Sequence, residues 1–485
     1  MSARFLFHDY ETSGADPARD AALQFAALYT NAELEIIEDP VNWFCRPAPD
    51  RLPRPQATLI TGITPQQAHR EGCCEAEFAD RIHELMMRPG TCALGFNSIR
   101  FDDVFTRHLL WRNLHDPYAR EWANGNSRFD LIDLARLCYA LRPEGIEWPL
   151  REDGRPSFRL EHLAAANGLD QQRAHDALSD VHATLGLARL IRRRQPRLWE
   201  WALQLRDKRR ARGLLDWVGG TPLLHTSEKF PAERGCTSLV LPVGPCLDSG
   251  QGVIVVDLMA DPSVLIDNDV ETLRDLLYTP RADLPDDLQR PAIKTVFVNR
   301  CPMLAPASVL KGVDLRRIGL DPERCEANRQ RLLATPGLAD KLARVMCREE
   351  EEAPVEDVEL GLYRGGFPSP AERARLDRAR RTPPQELAGA DFGFEQPRHA
   401  ELLFRRRARN WPETLNDSEL ARWRQFVADR LRGTHPLSQT RDGPYSLGEY
   451  RQEIAALRLR HQDGTAQVLL DRLEAWGNEL EAAWL

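Results

Sequence analysis

Asp9 and Glu11 are two carboxylates separated by one residue, at the end of the short, mostly apolar run Phe5-Leu6-Phe7-His8. A β-strand repeats every two residues, so both side chains leave the same face. Two carboxylates on one face make a hard-oxygen site suited to Mg²⁺ or Mn²⁺. Asp-x-Glu also occurs often by chance on protein surfaces, so the pair needs support from elsewhere in the chain. Asp102 offers some. It follows the apolar stretch Ala93-Leu94-Gly95-Phe96 and the segment Asn97-Ser98-Ile99-Arg100-Phe101, which places it just past a strand end, where ligand sites of α/β sheets collect. The plainer alternative is that Asp102 or Asp103 stabilises the start of the next helix. His175 and Asp180 form the third element. Five residues apart on a regular helix they would point roughly 140° away from each other. They can meet if His175 lies on the loop before a helix and Asp180 in its first turns. Otherwise His175 caps a helix and Asp180 is a solvated acid.

The elements that must carry these residues are legible from periodicity. Phe5 to Asp9, Gln24 to Thr30 and Leu34 to Cys45 read as three strands in succession. Phe78, Ile82, Leu85 and Met86 fall on one face of a helix over 76–87. Thr91 to Phe96 is strand-like, and 129–141 and 158–166 read as helices. Leu178, Val181, Leu185, Ala188 and Ile191 step by three or four, so this helix is amphipathic. Three strands followed by alternating strands and helices predict an α/β mixed sheet flanked by helices over residues 1–195. Pro196 closes that region. Strand signals return at 238–243, 252–258 and 295–299, predicting a small β-rich domain with helical insertions over 196–347. Arg348 to Pro354 reads as an exposed charged linker. From 355 to 485 the stripes are helical, carried by Leu402, Leu403, Trp423, Phe426, Leu431, Ile454, Leu457, Leu469, Leu470, Leu473 and Trp476. The stretch Gly433 to Pro444 is rich in turn formers and is expected to be mobile.

Composition narrows the class. With 485 residues the chain is too long for one core. No apolar run approaches the ~20 residues of a membrane helix, and the first residues run directly into a strand without a signal-peptide pattern. We therefore expect a cytoplasmic protein with no membrane contact. The ten cysteines include no C-x-x-C pair, which argues against a structural zinc site or a disulfide framework. A net charge of −8 argues against nonspecific coating of nucleic acid, but metal-holding carboxylates add negative charge and arginine can be concentrated locally. The runs 192–194, 208–210 and 405–407 with Arg409 are candidate DNA contacts, although a charge run is usually a solvated face. Arg107, Arg112, Tyr118 and Trp122 interleave basic and aromatic residues after Asp102, as a stacking platform for a single strand requires.

In order, Asp-x-Glu, Asn-x-x-x-Phe-Asp and His-x4-Asp form the pattern of the DEDDh exonucleases, which use the ribonuclease H-like fold. Leu59-Ile60-Thr61-Gly62-Ile63-Thr64 strengthens the match, because that family carries a Thr-Gly-Ile segment against the terminal nucleotide. Phe5 to Thr12, Ser157-Phe158-Arg159-Leu160-Glu161-His162-Leu163, and Leu403 to Asn410 narrow it: the chain resembles the bacterial exodeoxyribonuclease I family over nearly its whole length. The resemblance implies a ribonuclease H-like exonuclease domain, an SH3-like β domain and an all-α C-terminal domain. It implies Mg²⁺-dependent removal of 5′-mononucleotides from the 3′ end of single-stranded DNA, in DNA repair and recombination, by a monomer.

The same resemblance implies roles. Asp9, Glu11, Asp102 and Asp180 would hold two Mg²⁺ ions, with Mn²⁺ a possible substitute, and His175 would be the general base. Glu11, Thr61, Gly62, Ile63 and Arg159 would bind the substrate. Arg107, Tyr118, Trp122, Arg136 and Phe158 would contact DNA. Arg142 and Lys311 would meet the acidic C-terminal tail of single-stranded DNA-binding protein, a site where the family pattern is only partly kept: Trp201 stands where a tyrosine is expected and Leu333 where a basic residue is expected. The alternatives are an RNA-directed or proofreading exonuclease of the same class, usually a shorter chain, or a noncatalytic single-stranded DNA-binding scaffold, which the intact carboxylates and histidine disfavour.

Overall fold

The computed structural model describes residues 4–171, 175–280, 283–285, 288–347 and 356–485. The expected linker, Arg348 to Pro354, lies outside them. In chain order the N-terminal elements are β1 (Arg4–Thr12), β2 (Ala22–Thr30), β3 (Val41–Phe44), α1 (Pro55–Thr61), α2 (Pro65–Glu71), α3 (Glu75–Met86), β4 (Thr91–Gly95), α4 (Asp102–Arg112), β5 (Ser127–Asp130), α5 (Leu131–Leu141), α6 (Leu160–Ala166) and α7 (Ala177–Arg194). The chain divides into two compact units. The first holds residues up to Ser127, Gln171–His182 and the C-terminal region; the second holds Arg128–Asp170 and the stretch from Ala183 through the middle of the chain.

In the first unit β1 is central. It pairs antiparallel with β2, residue for residue from Phe5↔Thr30 to Glu11↔Gln24, and parallel with β4 from Arg4↔Thr91 to Phe7↔Leu94. The sheet is therefore mixed, as expected. Phe5, Leu6 and Phe7 are fully buried, and β2 is buried along its whole length. Leu6 and Tyr10 of β1 and Phe25, Ala27 and Tyr29 of β2 pack against α3, whose Phe78, Ile82, Leu85 and Met86 form the predicted buried face. The expected strand over 34–45 shortens to β3. Leu34 has a left-handed φ of 67° and a turn precedes it, so only an isolated bridge at Ile36 and then Val41–Phe44 pair with β2. The helix expected over 129–141 begins two residues later: Asp130 is its N-cap, accepting from the Ile132 amide at 3.2 Å. On α7 the spacing holds, with Val181, Leu185, Ala188 and Ile191 buried.

The second unit carries α8 (Pro196–Gln204), α9 (Lys208–Leu214), β6 (Leu223–Thr226), β7 (Thr237–Pro245), β8 (Gly252–Asp257), α10 (Ser263–Asp267), α11 (Val270–Tyr278), β9 (Ile293–Phe297), β10 (Met303–Pro306), α12 (Pro322–Leu333) and α13 (Leu338–Met346). Its strands form an antiparallel sheet in the order β10-β6-β7-β8-β9. The sequence patterning located β7, β8 and β9. It missed β6 and β10, four-residue strands too short for an alternation to register.

The C-terminal region returns to the first unit with α14 (Pro370–Arg381), α15 (Pro397–Asn410), α16 (Asp417–Arg432), a two-residue hairpin of β11 (Gln439–Thr440) and β12 (Gly443–Pro444), α17 (Leu447–Arg460) and α18 (Gly464–Trp484). Its core joins Trp423, Val427, Tyr450, Leu470 and Leu473 to Leu52 of the N-terminal segment. The turn-rich stretch 433–444 thus holds a hairpin, and Ser438 within it is buried against the Arg430 guanidinium, 2.9 Å away.

A buried ion network ties these two parts of the first unit together. Glu359 receives Arg51 at 2.6 Å, Arg409 at 2.6 Å and Arg405 at 3.1 Å. Arg409 also grips Asp50 at 2.7 Å, and Arg405 grips Asp357 at 2.7 Å. The run 405–409, a candidate DNA contact by sequence, is therefore interior: Arg405, Arg406 and Arg407 are all buried, and Arg407 is bound to Glu419. Glu359 is the hub, its carboxyl held well below the ordinary range by Arg409, Arg51 and Arg405 against the opposing effect of burial. Removing it takes from the buried Arg51 the carboxylate it meets at 2.6 Å and from Arg405 and Arg409 one of their carboxylate partners. Glu359→Ala should cost about 3–5 kcal/mol in urea unfolding at neutral pH. Because the folded-state carboxyl titrates low, this contribution is complete above the unfolded value of 4.5 and lost as pH falls below it. An unchanged urea midpoint for the variant would refute the hub role.

Candidate functional site

The last residues of β1 run past the end of β4. There the Tyr10 backbone amide, lying between Asp9 and Glu11, donates to Asp102 Oδ1 at 3.1 Å. Asp102 opens α4, where the N-terminal dipole also favours a carboxylate, but the residue before it makes no side-chain cap. Its Oδ1 is held by β1. Asp103, the other capping candidate, is bound to Arg120 at 2.7 Å in the interior. Glu11 and Asp102 are buried and Asp9 is partly buried.

On the opposite side of the strand end sits the start of α7. His175 lies on the preceding loop, exposed, with a left-handed φ of 61°. Histidine tolerates that region better than most side chains. Its backbone amide approaches Asp180 Oδ2 at 3.3 Å, and Asp180 is in the first turn of the helix. The geometry expected from the five-residue spacing is the one found. Ligand atoms of Glu11, His175 and Asp180 lie within 4.8 Å of one another, a cluster able to hold a metal ion.

Three neighbours of this site were not singled out by the sequence. Gln24 pairs across the sheet with Glu11, and its Oε1 accepts from the Ala177 amide at 3.4 Å, fastening the helix start to β2. A lone amide in the apolar strand Ala-Leu-Gln-Phe-Ala-Ala-Leu was the available signal. Gln171 donates to Asp180 Oδ1 at 2.7 Å. Asp176 accepts from the Ser179 amide at 3.2 Å as a helix cap and adds a further negative charge near Asp9 and Glu11.

Electrostatics set the chemistry. Burial is the largest cause raising the carboxyl of Glu11, to about 8, followed by the charges of Asp180, Asp102 and Asp176. Asp9 is likewise pushed well above the ordinary carboxylate range, by burial and by Asp102, Glu11, Asp180 and Asp176. All the principal charges acting on both groups are other carboxylates, so a divalent cation is the partner this donor set fits.

The remaining predicted residues are distributed between the units. In the first, Gly62 ends α1 with φ 72°, Thr61 Oγ1 accepts from the Ile63 amide at 3.2 Å, and Ile63 is buried against Leu23 and Ala68. Thr61 and Gly62, not the Ile63 side chain, are the accessible part of that segment. Arg107 donates to both Glu121 oxygens, at 2.7 and 3.0 Å, and lies 5.4 Å from the Tyr118 ring. Trp122 is 65% exposed. In the second unit Arg136 pairs with Asp133 at 2.7 Å and lies 5.9 Å from the buried Phe158 ring. Arg159 is largely exposed, with Glu161 only at 3.9 Å. The Arg142 guanidinium donates to the Lys311 carbonyl at 3.4 Å and the Val309 carbonyl at 3.3 Å, so the structure does bring Arg142 and Lys311 together.

Comparison with known proteins decides the family. Residues 6–188 match an exonuclease domain, 206–348 an exonuclease I SH3-like domain, and 356–480 an exonuclease I C-terminal domain. Exodeoxyribonuclease I of Escherichia coli is 46% identical over 87% of this chain and 89% of its own. The chain belongs to the exodeoxyribonuclease I family. Its fold is that family's: a ribonuclease H-like mixed-sheet domain, an SH3-like β domain and a helical C-terminal domain. As a member it is an exonuclease that hydrolyses phosphodiester bonds. The crystal structure of E. coli exonuclease I with a dA16 oligonucleotide superposes with a TM-score of 0.93 at 42% identity, over 99% of this chain and 100% of that one. A structure described as SSB/exonuclease I with an inhibitor gives 0.89 at 40% identity, over 99% and 100%.

The raised carboxyls predict a proton-linked metal site. Without metal, Glu11 is protonated below about pH 8. Keeping a carboxylate whose folded value is raised costs the metal-free protein stability as pH climbs from its unfolded value of 4.5 toward 8. Mn²⁺ titration by calorimetry should therefore show proton release and an affinity that rises with pH, levelling above about pH 8, and Mn²⁺ should raise the thermal midpoint more at high pH than at low. Affinity independent of pH between about 6 and 9 would contradict this arrangement.

Proposed function

We propose that this exonuclease removes 5′-mononucleotides one at a time from the 3′ end of single-stranded DNA, with Mg²⁺ as its metal, in DNA repair and recombination in the cytoplasm. The observation that carries the reading is the convergence of Asp9, Glu11, Asp102, His175 and Asp180 at one strand end. The oligonucleotide complex of the E. coli relative supports single-stranded DNA as the substrate. The chain is organised as an exonuclease region to residue 195, an SH3-like region over 196–347 and a helical region from 355, acting as a monomer.

Two divalent ions held by the four carboxylates would neutralise the phosphate and lower the cost of forming hydroxide and the leaving 3′-oxygen. The protein's own groups do the rest. Asp102, fixed by the Tyr10 amide, and Asp180, fixed by Gln171 and by the His175 amide, hold their oxygens in place before substrate arrives. His175, on an exposed loop next to Asp180, takes the proton from the attacking water. Thr61 and Gly62 flank the terminal nucleotide, and the largely exposed Arg159 presents its fork of donors to phosphate, with Glu161 3.9 Å away. Trp122 offers an uncovered ring for stacking. Arg107, already committed to Glu121, acts by holding Tyr118 rather than as a free cation. Arg142 and Lys311 receive the acidic tail of single-stranded DNA-binding protein, a reading supported by their proximity and by the SSB/exonuclease I structure.

With 5′-labelled single-stranded DNA, duplex DNA and RNA in Mg²⁺, a 3′-to-5′ ladder should form from single-stranded DNA and vanish with EDTA. Asp180→Ala should lower turnover by roughly 10²-fold or more, the scale of removing one electrostatic contributor at a reaction centre, while leaving DNA binding largely intact. Trp122→Ala should weaken single-strand binding by about 1–3 kcal/mol with little change in turnover at saturation. Internal cuts, EDTA-resistant hydrolysis or an active Asp180→Ala would overturn the assignment.

A further inference from the structure

Arg159 stands at the N-terminal boundary of α6, with extended backbone and no side-chain cap of its own. Its side chain is 73% exposed. A solvated guanidinium on a long stem samples many rotamers. What limits its reach is the direction in which its Cα–Cβ bond leaves the backbone, so the groups that fix that backbone decide where the cation can go.

Residues on both sides pin it. Before it, Phe158 is buried, with its ring 5.5 Å from Tyr139 and 6.3 Å from Trp148. After it, Leu160 and Leu163 are buried, and the Leu163 amide donates to the Arg159 carbonyl at 3.0 Å. A polar contact closes the turn between the two sides. Ser157 is buried, and its amide donates to the Pro149 carbonyl at 2.8 Å. Its Oγ lies 2.8 Å from His162 Nδ1 and 3.5 Å from the Arg159 amide. His162 is the third residue of α6, and its ring reaches back past Arg159 to the serine. A third-position side chain reaches back in the same way in a capping box, although there it meets a backbone amide. A hydroxyl both donates and accepts, so Ser157 can serve the imidazole and the amide together. His162 itself is exposed, so the contact adds nothing to the apolar core of α6.

We propose that His162 is a positioning residue for Arg159: through Ser157 Oγ it fixes the backbone from which the guanidinium reaches a phosphate of single-stranded DNA. The proposal rests on the reading of Arg159 as a phosphate contact.

The test is a double-mutant cycle on the full-length protein, read by the anisotropy of a fluorescent oligothymidylate in EDTA at several salt concentrations. Arg159→Ala should weaken binding about tenfold, as loss of a charge-assisted contact does. It should also flatten the salt dependence by about 0.7 in slope, the equivalent of one single-strand phosphate. His162→Ala and Ser157→Ala should each weaken binding roughly fivefold and flatten the slope in the same direction. Neither should weaken it further once Arg159 is alanine. His162→Asn places an amide where Nδ1 stands and should restore binding, whereas His162→Gln places it where Nε2 stands and should not. A contact that only stabilised α6 would lower the thermal midpoint and leave the salt slope alone. Additive losses in the cycle, an unchanged slope in His162→Ala, or equal binding by the Asn and Gln variants would overturn the proposal while leaving Arg159 as a phosphate contact. An Arg159→Ala variant that binds normally would overturn that reading and the proposal with it.

Discussion

Mutual repulsion among carboxylates at the end of β1 is the constraint that the surrounding structure answers. Asp9, Glu11, Asp102, Asp176 and Asp180 converge there, and burial worsens the repulsion for Asp9 and Glu11. Left to themselves such groups would swing apart into water. The fold holds them with backbone amides and glutamine side chains. The Tyr10 amide holds Asp102, the His175 amide holds one oxygen of Asp180, and Gln171 holds the other. Gln24 binds the start of α7 to the strand paired with Glu11. Neutral donors fix position without cancelling charge, so the site keeps its affinity for a cation. A guanidinium in the same place would stabilise the metal-free protein and occupy the ligand oxygens.

Elsewhere in the same unit the opposite solution is used. Around Glu359, buried carboxylates meet buried guanidinium groups directly, through Arg51, Arg405 and Arg409. Bidentate geometry is available to arginine and not to lysine, which is why arginine can be desolvated there. The contrast separates structural from functional carboxylates: Glu359 and Asp50 are pulled below the ordinary range by cations, while Asp9 and Glu11 are pushed above it.

Much of the site was legible because catalytic geometry is written in short spacings. A two-residue interval on a strand placed Asp9 and Glu11 on one face, and the off-period interval of five left a loop before the helix as the arrangement in which His175 could meet Asp180, which is where the structure has it. The positions of Gln24 and Gln171 were not legible. A glutamine that clamps a helix start is chemically ordinary, and its partner is fixed only by sheet register. In the fold, long amphipathic elements such as α3 and α7 were readable, whereas β6 and β10 owe their pairing to neighbours in the sheet rather than to their own pattern. The strand expected over 34–45 failed for a local reason, the left-handed backbone at Leu34.

Arginine shows most clearly what sequence cannot decide alone. The chain carries a net charge of −8 and still handles a polyanion. Run density would have pointed to residues 405–409, which are interior. Motif position pointed to Arg107, which is bound to Glu121, and to Arg159, which is largely exposed with only a distant carboxylate. A guanidinium that already has a carboxylate must lose it before it can meet phosphate, whereas one facing solvent needs only to shed water. The capacity to bind a phosphate chain therefore depends on where a cation faces and what already holds it, not on the number of arginines. That is how an acidic protein can present a locally basic path.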